Sequence, residues 1–271
     1  MFNLNLIMSL FCYLLVNVFA IVIYYNQGLK IYWRRIKIFL YLGFAAHTIA
    51  LCTFSIIKNH FPITTNVEAL FFMSWLLVPL MLFIEWKNKS MIMNAILLPF
   101  VSLSILAVLV SDSAITILNP KLRCYWMYIH IPSSLIALIF LFISFGTSIM
   151  YLMQDNAMKL KKKSLIYDKL PSLAQSRMIN SNSLFIGFIL ISVGMISGML
   201  WSKASFGKLW QWDIKEILTA ITWFVYAIIL SGKFTFRWNE KIVTYLSIIG
   251  FLLILLTFFG FKFISKSYHS F

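Results

Sequence analysis

Eight stretches of this chain each approach the ~20 apolar residues that a helix needs to cross a bilayer. They cover residues 6–25, 38–57, 67–84, 91–110, 125–153, 183–201, 217–230 and 243–261. The seventh is short unless it begins near Asp213, and the fifth is long enough to tilt or to protrude from the membrane. Connections are short, apart from a polar stretch at 154–182. Such a pattern predicts an all-α integral membrane protein of about eight transmembrane helices, a single polytopic membrane domain over residues 1–271. Composition leaves little room for a soluble catalytic domain. Charged residues make up 11% of the chain against 61% hydrophobic, about half the charge that a soluble surface needs.

The net charge of +15 would suit nucleic acid if the basic residues gathered on one polar domain. Instead they punctuate the apolar stretches, as topology signals do, and no nucleic-acid partner is expected. With the N-terminus outside, the inner loops hold fifteen of the 23 basic residues, so both termini are expected outside. Cys12, Cys52 and Cys124 are far apart and form no Cys-x-x-Cys, which argues against a disulfide scaffold, a zinc ribbon and thioredoxin-type chemistry. The first apolar stretch lacks a basic flank ahead of it and is long enough to span, unlike a cleavable signal peptide.

This orientation sorts the histidines. His130 falls near the outer end of helix five, His60 in the outer loop before helix three, and His269 beyond helix eight, also outside. Only His47 sits at membrane depth, where an ionisable group is a functional candidate by default. The Trp-rich loop at 201–213, between helices six and seven, is outside too. Imidazole is a common ligand of haem iron, indole rings offer flat apolar surfaces, and Lys203, Lys208, Lys121 and Arg123 can meet anionic groups. Together these fit a flat, amphiphilic iron macrocycle. Each element also has an ordinary reading. Trp201, Trp210 and Trp212 can be interfacial belt residues. Asp213 and Glu216 can cap helix seven, and His47 can hydrogen-bond between helices.

The run from Trp210 to Glu216, continuing through Ile221-Thr222-Trp223, resembles the tryptophan-rich "WWD" loop of the CcsA (ResC) branch of the cytochrome c assembly family. That pattern is close to W-x-W-D-P-K-E, then I-T-W. Gly198 and Trp201 fit its G-x-x-W. The stretch from His60 to Asn66, with Glu68 and Trp75, is similar to its G-H-x-P-x-x-N-x-x-E block. Tyr128 to His130, with Leu135 and Gly146, looks like its histidine-bearing helix, and Gly260 to His269 keeps the spacing to its C-terminal histidine. Four blocks in family order cover roughly residues 47–271.

The resemblance implies system II maturation of c-type cytochromes. A haem b, held non-covalently and transiently, would be presented at the outer face of the cell inner (cytoplasmic) membrane for attachment to apocytochrome c. A ResB/CcsB-like membrane protein would be the partner, and the chain would be at most the haem-presenting part of a synthetase. His130 and His269 would be the axial iron ligands, with Trp201, Trp210, Trp212 and Asp213 as the haem platform and His47 a further haem contact. Leu209 and Ile214 depart from the pattern, and Ser231 stands where the family has a second membrane histidine. The interior site would therefore be incomplete. The alternatives are a HemX-like haem-binding regulatory protein and, from another class, a small-molecule transporter.

Overall fold

The computed structural model describes residues 2–26, 32–62, 65–88, 92–111, 124–160 and 170–257. Among them the regular structure is helical: α1 (Phe2–Tyr25), α2 (Trp33–Lys58), α3 (Asn66–Asn88), α4 (Ile92–Val110), α5 (Tyr125–Lys159), α6 (Leu173–Phe206), α7 (Ile214–Phe234) and α8 (Glu240–Leu255). Six of them, all but α4 and α8, are long and apolar enough to cross a membrane. The protein is an all-α, multi-pass membrane protein. Its surface agrees with that solvent. Phe11, Ile56, Phe185, Ile196, Phe224 and Leu252 are exposed, whereas Ser144, Thr147, Ser148, Ser176, Asn180 and Ser247 are buried. Apolar residues outside and small polar ones between the helices are what a hydrocarbon surrounding selects.

Helix bounds depart from the apolar stretches where polar side chains find partners inside the fold. The polar stretch at 154–182, read from sequence as a connection, is helical at both ends, because α5 continues to Lys159 and α6 begins at Leu173. Ser172 caps α6 by accepting a hydrogen bond from the Gln175 amide at 3.2 Å. Two turns on, Asn180 Nδ2 donates to the Ser144 carbonyl and to Ser148 Oγ across the α5–α6 contact. Asn239 opens α8 four residues ahead of its apolar run, accepting from the Lys241 amide. Pro79, Pro99 and Pro132 lie within α3, α4 and α5, each of which is one helix as described.

The contacts gather into two compact units. In the first, α1 packs on α2 and α4, and α3 packs on α4 and α2. Asn17 Nδ2 donates to Ser102 Oγ between α1 and α4, and Trp75 Nε1 donates to Thr48 Oγ1 between α3 and α2. At the start of α2, Trp33 Nε1 and Lys37 Nζ both reach the buried carboxylate of Glu85 on α3, at 2.8 and 2.6 Å. The second unit holds α5 to α8, with α5 and α6 paired along their length and α8 lying against α5 and α7. One end of this unit carries linked ion pairs: Asp155 with Lys159 and Lys241, and Glu240 with Lys233 and Arg177. The other end carries the start of α5, the end of α6 and the start of α7.

Candidate functional site

That second end is built around His130. Its Nδ1 lies 2.7 Å from the Gly194 carbonyl on α6. A carbonyl only accepts, so Nδ1 carries the proton and donates it. In the neutral ring Nε2 is then left with its lone pair and has no hydrogen-bond partner among the described residues. The ring lies on Gly198, where an added Cβ would come within 2.8 Å of its Cε1 and Nδ1. Trp201, one turn further along α6, meets the same ring at 5.5 Å between centroids, tilted by 39°. Gly194, Gly198 and Trp201 therefore fix the position, tautomer and flank of one imidazole. Lys215, in the first turn of α7, is within electrostatic reach of it.

The loop from α6 to α7 is pinned from both helices. Gly207 ends α6 in the left-handed region, with φ 78° and its amide on the Lys203 carbonyl. Ser202 Oγ donates to the Lys208 carbonyl and accepts from Gln211 Nε2. Asp213 caps α7, its Oδ1 accepting from the Glu216 amide at 2.7 Å. The Glu216 carboxylate reaches back to the amides of Gln211 and Trp212. Trp212 has φ 61°, an outlying conformation for a bulky L-residue. It stands 77% exposed, edge-on to Trp210 at 6.3 Å. The Trp210 indole nitrogen is buried, with no hydrogen-bond partner among the described residues.

His130 and Trp201 are thus brought together, as are Trp210 and Trp212, and Asp213 stands at the loop's exit. Lys203 and Lys208 are exposed at the same end. His47 belongs to the first unit. It is fully buried, stacked on Phe71 at 4.9 Å, with the Tyr13 hydroxyl 3.5 Å from Nδ1. The ring also has an electrostatic contact with the Phe71 backbone. His60 lies near Phe54 and 3.9 Å from Glu68. Lys121, Arg123 and His269 fall outside the described residues, and so does the expected approach of His269 to His130. No group of three or more His, Cys, Asp and Glu side chains comes together among the described residues.

A family profile described as "Cytochrome C assembly protein" matches residues 63–269, about three quarters of the chain. The chain belongs to the cytochrome c assembly family. The relatives place it with the CcsA type within that family. It is 27% identical over 273 residues to a "Cytochrome c biogenesis protein CcsA" from Guillardia theta, with 91% of this chain and 90% of the relative covered. It is 29% identical to one from Porphyra purpurea, with 79% of each covered. One from Prochlorococcus marinus subsp. pastoris is 27% identical, over 97% of this chain and 90% of the relative. The cytochrome c assembly match takes in His130, the whole Trp-rich loop and His269, whereas His47 and His60 precede it.

Sequence reasoning missed three parts of this site: the Gly194 carbonyl that orients His130, the Ser202–Gln211 tie, and the left-handed Trp212. The first had a signal. Gly194 and Gly198 form a small-xxx-small pair on α6, which brings helix backbones close.

Proposed function

We propose that this cytochrome c biogenesis membrane protein binds haem and presents it at the outer face of the cytoplasmic membrane for attachment to apocytochrome c. The observation that carries the reading is the setting of His130. Its Nδ1–H is spent on a backbone carbonyl and its Nε2 lone pair is left open, which is how histidine ligands of metals are oriented. Trp201 flanks that ring, and Trp210 and Trp212, edge-on to one another at the same end, each offer a flat apolar indole face. The buried N–H of Trp210 is a donor that a ligand oxygen or an ordered water would satisfy. Exposed Lys203 and Lys208 suit carboxylates such as propionates.

The ligand supplies the iron and the vinyl groups; this chain supplies position. His130 would hold the iron through Nε2, and His269 is proposed as a further iron ligand on the strength of the family resemblance. The tryptophans would give the bound macrocycle apolar contact. Among the described residues no side chain at this end is arranged as a nucleophile with a base, and the proposed contribution is orientation rather than side-chain catalysis. A ResB/CcsB-like membrane protein is the proposed partner. The outer-face assignment is supported by the positive-inside rule, since the end of the unit opposite the tryptophans carries Lys159, Arg177, Lys233 and Lys241. The relatives' printed names favour maturation over a HemX-like role. The uninterrupted α3, α4 and α5 lack the paired broken helices of many transporters.

The test is His130→Ala in the detergent-purified protein. The low-spin haem spectrum is expected to be lost or converted, and added imidazole to restore part of it. A spectrum untouched by the substitution overturns His130 as a ligand.

A further inference from the structure

We propose that Glu216 is the residue that sets the haem-facing geometry of the tryptophan loop, as an internal anion around which the backbone at 211–212 is wrapped. In an ordinary capping box the third helical residue returns its carboxylate to the amide of the N-cap residue. Here the N-cap is Asp213, and Glu216 reaches one and two residues further out. Its Oε2 accepts from Trp212 N at 2.9 Å and from Gln211 N at 2.6 Å. Two successive amides converging on one anion, with a residue in the left-handed region, form a nest. This nest is filled by the protein's own carboxylate. The same contact holds Trp212 at φ 61°, and so directs its ring outward and edge-on to Trp210.

Asp213 completes the reciprocal pair by accepting from the Glu216 amide, which fixes the first turn of α7 under the loop. The Ser202–Gln211 tie holds the other side of the loop to α6. Trp212 itself is too exposed for packing to fix its backbone. Glu216 is therefore a positioning residue: it acts on the ligand through the two tryptophans. Its consequence for haem rests on the haem-presenting function proposed above; its hold on the loop does not.

The test compares Glu216→Asp, Glu216→Ala and Glu216→Gln in the full-length protein in detergent, by amide hydrogen exchange and by haem titration. Asp keeps the charge but is a methylene short of the two amides, and Gln keeps the reach and an accepting oxygen. Exchange at Gln211 and Trp212 is expected to quicken about ten- to a hundredfold in the Asp and Ala variants, and little in Gln. Amides in the middle of α5 and α6 should keep wild-type rates. Haem affinity is expected to fall by about tenfold in Asp and Ala and to recover in Gln. Unchanged exchange at 211 and 212 in both Asp and Ala overturns the proposal, and so does faster exchange with wild-type haem affinity. A wild-type protein that takes up no haem defeats the haem-presenting function, while the exchange rates still decide the part of Glu216.

Discussion

At position 198 one added methyl group would sit 2.8 Å from two atoms of the His130 ring. That ring has nowhere simple to go, because its Nδ1 is held by the Gly194 carbonyl and its flank by Trp201. Gly198→Ala is therefore expected to displace the imidazole and lengthen its hydrogen bond. Overpacking of this kind costs about 1–3 kcal/mol, and loss of an orienting contact lowers metal affinity by about 10–100-fold. Haem titration of the Gly198→Ala protein checks this, with normal expression and wild-type affinity as the opposing result. At this scale the sequence was legible in residue type and not in partnership. Two separate family blocks mark His130 and the Gly198–Trp201 pair. Which carbonyl orients the ring depends on how α5 and α6 pair in space. Asp213 is a case where the ordinary reading, a helix cap, is visible in the geometry whatever else the residue contacts.

Between elements, the most consequential polar contact of the first unit joins α2 to α3. Glu85 is 5% exposed and meets Lys37 and the Trp33 indole. Removing one partner of a buried pair strands the other charge, so Lys37→Ala is expected to destabilise by about 2–3 kcal/mol, below the fully buried range because Lys37 is partly exposed. Lys37→Ala combined with Glu85→Gln should recover part of the loss. Thermal unfolding in detergent measures both, and equal melting points for the single and double variants would contradict the assignment. The elements themselves were largely legible, since apolar runs of spanning length leave few alternatives to a helix. Their ends were not. At 154–182 hydropathy marks a connection, yet Asn180 in the early part of α6 donates to Ser144 and Ser148 across the helix pair, and Asp155 in the last turns of α5 pairs with Lys159 and Lys241. The start of α7 at Ile214 was readable only through its Asp213 cap.

At the scale of the whole molecule, two four-helix units carry separate histidines: His47 within the first, His130 at one end of the second. In the second unit the ion pairs of Lys159, Lys233, Lys241 and Arg177 lie at one end and the tryptophans at the other. His269 lies outside the described residues, and its part rests on the family resemblance. The central claim, that this chain holds haem by imidazole beside its tryptophan loop, is read most directly from the visible spectrum of the wild-type protein purified from haem-replete cells. The expected result is a non-covalent, b-type, low-spin spectrum with two nitrogen axial ligands. A colourless protein that also fails to take up added haem would contradict it.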